Sequence, residues 1–169
     1  TGTVNAYDCE ITGGSTENTS GLIHLASENS VVNIYDCSIT GATAGYGIYL
    51  SGDTKAPLLS GKITVKDNAA GNIYIPAKKS VTFESLTDGS EIGITYPNAG
   101  EKFATSNDDF SETCNIFSDV SNQKPVYESG EYKMIALMTM FSSTSKTAVS
   151  SKLAVLSPAL NLLRKAGIK

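Results

Sequence analysis

The sequence predicts an all-β chain wound as a parallel β-helix, a solenoid of about four to five coils with a short C-terminal helix. Three observations predict it. The phrase Thr3-Val4-Asn5-Ala6-Tyr7-Asp8-Cys9-Glu10-Ile11-Thr12-Gly13 returns as Val31-Val32-Asn33-Ile34-Tyr35-Asp36-Cys37-Ser38-Ile39-Thr40-Gly41, changed only at Thr3, Ala6 and Glu10. Ile23-His24-Leu25, Ile48-Tyr49-Leu50 and Ile73-Tyr74-Ile75 recur at equal intervals. Apolar and polar residues alternate within each copy, as at Val32, Ile34 and then Ile48, Leu50. Self-similarity at such a period marks stacked copies of one unit, and period two within a copy marks strands.

Taken in order, the short apolar runs are separated by turn clusters such as Gly13-Gly14-Ser15-Thr16 and Gly41-Ala42-Thr43-Ala44-Gly45. A third copy follows, after a slightly shorter step, if Gly61-Lys62-Ile63-Thr64 lies under Cys37-Ser38-Ile39-Thr40. This alignment puts Ser60 in the place of Asp36 and Leu59 in the place of Tyr35. A degraded fourth copy runs through Val81-Thr82-Phe83 and Ile92-Gly93-Ile94. The Leu-x-x-Leu-x-Leu repeat and the Gly-Gly-x-Gly-x-Asp calcium nonapeptide are both absent. From Tyr132 to Phe141 alternation gives way to an apolar run, expected to be buried by pairing with the last coil or plugging its end. Ser142 to Ser151 is a polar linker. A helix is expected at Ser157-Pro158 to Gly167, with Ser157 as N-cap, Pro158 at the first position, Arg164 and Lys165 near the C-terminus and Gly167 as the stop. It would cap the solenoid or bind a partner. The layout is thus 1–137 β-helix and 138–169 strand, linker and capping helix. The mid-pattern opening Thr1-Gly2-Thr3-Val4 predicts further coils on the N-terminal side.

The stretch Leu59-Ser60-Gly61-Lys62-Ile63-Thr64 through Ala70-Gly71-Asn72-Ile73-Tyr74-Ile75, with Ile92-Gly93-Ile94-Thr95 and Val126-Tyr127-Glu128-Ser129-Gly130-Glu131-Tyr132, carries a resemblance. It resembles the "G-x-I-T-x-x-x-N … G-N-x-Y" coils of large secreted or wall-attached proteins of anaerobic Gram-positive bacteria. Those regions are similar to the right-handed, pectin-lyase-like β-helix. The resemblance covers roughly residues 1–137 and implies a fold, an extracellular or cell-wall location and adhesion-like roles. It transfers no catalytic residue.

A formal charge of −4 with a single arginine, Arg164, opposes nucleic-acid binding, and no run of 18 apolar residues offers a membrane span. Three cysteines, an odd number, argue against a disulfide framework. The repeat stacks Cys9 over Cys37 about 4.8 Å apart. They are expected to be small buried fillers of the coil, since metal ligands to complete a tetrahedral site are missing. No metal or other cofactor is expected.

If Ile23, Leu25, Ile48, Leu50, Ile73 and Ile75 point inward, then His24, Tyr49 and Tyr74 form an outer aromatic ladder. Such a ladder offers a platform for sugar rings, or else it stabilises the sheet surface. Asp8 and Asp36 form a two-rung carboxylate ladder, either a calcium or acid/base pair or turn-stabilising residues. Asn5 and Asn33 are expected to form an asparagine stack. The chain lacks the basic subsites of polysaccharide lyases and a Gly-x-Ser-x-Gly elbow. These readings point to a non-enzymatic extracellular scaffold of a bacterial surface protein, contacting a polysaccharide or host glycan through the aromatic ladder and self-associating through its open N-terminal coil. A polysaccharide lyase or glycoside hydrolase of the same fold is the alternative, and a passive spacer is another.

Overall fold

The computed structural model describes residues 2–15 and 17–137, and they hold strands, turns and bends with no helix among them. The linker and the helix expected after Ser142 lie outside the described residues. The first coil runs through β1 (Gly2–Tyr7), β2 (Glu10–Thr12) and β3 (Gly21–Leu25). The second comprises β4 (Ser30–Tyr35), β5 (Ser38–Thr40) and β6 (Tyr46–Leu50), and the third β7 (Leu58–Gly61), β8 (Thr64–Lys66) and β9 (Gly71–Tyr74). The fourth has β10 (Val81–Leu86) and β11 (Glu91–Thr95), the fifth β12 (Lys102–Ser106) and β13 (Asn115–Ser118). A hairpin of β14 (Gln123–Glu128) and β15 (Glu131–Ala136) completes the compact unit.

Each strand of the first four coils pairs in parallel with its equivalent one coil on, so the chain is a β-solenoid of about five turns. One face is the ladder β1-β4-β7-β10-β12. The β2-β5-β8 and β3-β6-β9 ladders are separate faces that converge on β11. There Glu91 and Ile92 pair with Thr64 and Val65 of β8, while Ile94 and Thr95 pair with Ile73 and Tyr74 of β9. The two repeated phrases stack without slip, from Gly2 opposite Ser30 to Tyr7 opposite Tyr35, and from Glu10 opposite Ser38 to Thr12 opposite Thr40.

The corners explain which polar residues repeat. Between the first and second faces, Asp8, Asp36 and Gly61 occupy one stacked position with φ of 49°, 51° and 74°. At the next corner Gly13, Gly41 and Asp67 share φ of 70°, 72° and 56°. Gly and, less readily, Asn or Asp adopt this left-handed backbone at low cost, which favours them at both corners; in the fourth coil Ser85, after Glu84 opposite Ser60, takes it with φ of 49°.

The third coil departs from the expected alignment. Tyr35 pairs with Ser60 and Ile34 with Leu59, one residue off, and Ile39 pairs with Val65, two residues off. Leu59 therefore lies in the core at 0% exposure, and not in the outward place of Tyr35. The corner from Gly61 to Ile63 holds one residue more than the corner from Asp36 to Cys37. Ile63 thereby falls beneath Cys37, and Thr64 N donates to Cys37 O at 3.0 Å.

The interior is a narrow apolar column in which Ile34, Ile39, Ile48, Leu59, Ile63, Val65, Ile73 and Ile92 are fully buried. Burial of each such side chain stabilises the fold by about 1.5–3 kcal/mol before chain entropy is counted. The column ends in larger residues. Tyr132 of β15 lies 5.6 Å from Phe83 and 6.1 Å from Phe103, and its hydroxyl accepts a hydrogen bond from Phe110 N at 2.7 Å. β15 runs antiparallel to β12, so the parallel stack ends against a reversed strand. The expectation of a wholly buried run is corrected here. Tyr132 and Met134 face inward, while Ile135 is 39% exposed, because pairing on a sheet imposes alternation whatever the side chains are; Leu137, past the end of β15, is 55% exposed.

Candidate functional site

The outward positions of the β3-β6-β9 face are where the sequence placed them. His24 pairs with Tyr49 and Tyr49 with Tyr74, while Leu25, Ile48, Leu50, Ile73 and Ile75 turn inward. Tyr49 and Tyr74 stack with ring centroids 4.8 Å apart and planes 7° off parallel. His24 meets Tyr49 edge-on at 5.1 Å, and Ser20 Oγ lies 3.2 Å from His24 Nδ1. Parallel stacking at the coil spacing turns the two tyrosine faces toward each other. What the surface presents is ring edges and phenol groups rather than a row of open faces.

A fourth ring was missed. Tyr46 stands 5.6 Å from Tyr49 and 5.1 Å from Tyr74, tilted to both. It fits because Gly71 lies beside it: a Cβ there would come within 3.0 Å of the Tyr46 ring and 2.3 Å of Thr95 Oγ1. Burial pushes the Tyr46 hydroxyl above its ordinary pKa, with the neighbouring Tyr74 and Tyr49 and the Asp119 charge adding to it. The sequence signal was there, since Tyr46 opens the same strand as Tyr49, but its position fell outside the Ile-x-Leu landmark.

Next to the rings lies an open depression of about 340 Å³, walled by Asp67, Asn68, Gly71, Asn72, Phe117 and Asp119. The Asp119 carboxylate accepts from Asn72 N at 2.7 Å, Asn72 Nδ2 at 2.6 Å and Thr95 Oγ1 at 2.8 Å. Asn68 is buried, accepts from Ala42 N at 3.0 Å and donates to Lys66 O at 2.9 Å and Ile39 O at 3.1 Å. One asparagine thus ties the second coil to the third. None of this was legible beforehand, because Asp119 reaches Asn72 across 47 residues and from a loop outside the repeat.

Asp8 and Asp36 do lie one above the other, at the exposed first corner. Asp36 Oδ1 accepts from Lys62 N at 2.7 Å, so that carboxylate braces the turn of the following coil. Asn5 and Asn33 form the expected stack, Asn33 Nδ2 donating to Asn5 Oδ1 at 2.8 Å. Tyr7 and Tyr35 also stack, at 4.6 Å and 8°. Cys9 and Cys37 occupy adjacent coils as free thiols, Cys37 buried and Cys9 partly so. Burial raises the Cys37 thiol pKa, partly opposed by the hydrogen bond it accepts from Cys9 N. Among the described residues no group of three or more His, Cys, Asp or Glu is disposed to hold a metal ion, and no helix is long and apolar enough to cross a membrane.

No family model, curated protein or solved structure matches this chain.

Proposed function

We propose that this chain is a non-enzymatic scaffold segment of an extracellular or cell-surface bacterial protein, built on a right-handed, pectin-lyase-like β-helix. One observation carries the reading. Three polar side chains at outward positions and corners are bound to a neighbouring coil: Asn33 to Asn5, Asp36 to Lys62 N, Asn68 to Ala42 N. Residues whose hydrogen bonds run along the stack resist unstacking, and they serve length and rigidity rather than turnover of a substrate. Incubating the protein with pectin, alginate or chondroitin in the presence of calcium tests this. Unchanged polymers are the expected result, and release of unsaturated or reducing ends overturns it in favour of a lyase or hydrolase.

A second reading, glycan contact, is favoured by the cluster of His24, Tyr46, Tyr49 and Tyr74 on one face. Because the faces of Tyr49 and Tyr74 are taken up by each other, contact would be made through ring edges, the outer ring of the stack and the phenol hydroxyls. Retention on a glycan array that vanishes in Tyr74→Ala, while the fold persists by circular dichroism, supports it. An array with no retained glycan leaves the chain a passive spacer.

A further inference from the structure

The register carries the outer tyrosine column on into the last coils. Tyr49 and Tyr74 are followed by Thr95 and then by Asp119, whose N donates to Ile94 O at 2.9 Å. The neighbouring column on that face reads Asn72, Gly93 and Phe117. Phe117 and Asp119, two residues apart, thus stand side by side. Together with Asp67 and Asn68 they wall the open depression of about 340 Å³. Two properties set this spot apart from the tyrosines. Phe117 is half-buried, and among the described residues it stacks on no other ring, so its face is not taken up. Asp119 is held in place before any ligand arrives, by Asn72 N, Asn72 Nδ2 and Thr95 Oγ1.

We propose that this depression is a saccharide subsite for one pyranose of an uncharged polysaccharide, its apolar face lying on Phe117 and its hydroxyls donating to Asp67 and Asp119. The inference rests on the glycan-contact reading and gives it a site and a ligand class. The C–H face of a pyranose packs on an open aromatic ring, and hydrogen bonds from hydroxyls to carboxylates are charge-assisted. Asp67 is exposed at its corner, so its carboxylate is open to such a hydroxyl. The volume falls within the range of small-molecule sites, which begins at about 300 Å³. Charge decides the class. The described wall holds two carboxylates and no lysine or arginine, and Lys66, beside Asp67 in the chain, is paired with Glu91. Such a wall repels uronate and sulfate polymers, whereas a neutral chain meets no such opposition.

The test titrates the whole chain calorimetrically with cellohexaose, xylohexaose and mannohexaose, and with hexagalacturonate as the charged comparison. The expected result is binding of at least one neutral hexaose and none of hexagalacturonate. Phe117→Leu keeps the apolar bulk but removes the ring, and weakens that binding about tenfold. Asp67→Asn retains a residue suited to the left-handed corner, so it keeps its native circular dichroism and still binds the neutral hexaose more weakly. Tighter binding of hexagalacturonate, no binding of any neutral hexaose, or unchanged affinity in both variants overturns the proposal. In the last case, loss of binding in Tyr74→Ala assigns the contact to the tyrosine ladder alone, and the glycan reading outlives this subsite.

Discussion

Replacing Asn68 by alanine removes the clamp between the second and third coils. Its amide makes three bonds to backbone groups: an acceptor to Ala42 N at 3.0 Å and donors to Lys66 O at 2.9 Å and Ile39 O at 3.1 Å. Its two amide hydrogens are shared among three acceptors, the third being Asn72 Oδ1 at 3.1 Å. Ala42 is 3% exposed, so its N–H has no ready replacement once the side chain is gone. An orphaned buried donor costs about 1–3 kcal/mol, and each satisfied bond lost adds roughly 0.5–1.5 kcal/mol. With the two N–H bonds counted, the sum for Asn68→Ala is about 2–6 kcal/mol, which lowers the melting temperature of a domain this size by roughly 10 °C. Asn33→Ala is the control, because its one side-chain bond, to Asn5, lies on the exposed outer surface and is worth below about 1 kcal/mol. Urea unfolding followed by far-UV circular dichroism, with a common m-value, separates the two. Equal costs for the two variants would refute the idea that buried coil-to-coil amides hold this stack.

Further outcomes follow from other corners of the fold. Gly61→Ala adds a Cβ 2.3 Å from Asp36 Oδ1 at a φ of +74°, and should lose more than the ~1–2 kcal/mol of left-handed backbone alone. Combining it with Asp36→Ala should recover the clash component in a double-mutant cycle of thermal melts, and strict additivity would count against the contact. Tyr132, 1% exposed, has its phenol pKa pushed up to about 12, chiefly by burial. An unfolded tyrosine ionises near pH 10, so the unfolded chain sheds its proton first. Stability linked to Tyr132 is therefore intact below about pH 10 and falls as pH rises toward 12, and Tyr132→Phe should flatten the melting-temperature profile over that window. The Tyr49–Tyr74 stack should show a coupling energy of about 0.5–1.5 kcal/mol in a double-alanine cycle.

The solenoid, the inward isoleucines and leucines, the outer His24–Tyr49–Tyr74 ladder and the stacked Asn5–Asn33 and Cys9–Cys37 pairs were all legible in the chain. Parallel in-register stacking puts like residue over like, so a repeat in sequence is directly a neighbour list in space. The setting of the third coil was not legible. Ile63 and Val65 are both apolar and two residues apart, so alternation fits either one beneath Ile39, and only the extra corner residue decides for Val65. Tertiary structure alone also decided the Asp119 contacts, which arrive from 47 residues away. It likewise decided the exposure of Ile135, which a reversed strand turns to solvent against its own hydropathy. Local pattern fixes what a strand buries, whereas which strand lies beneath it, and with how many residues at the corner, is settled by closing the coil.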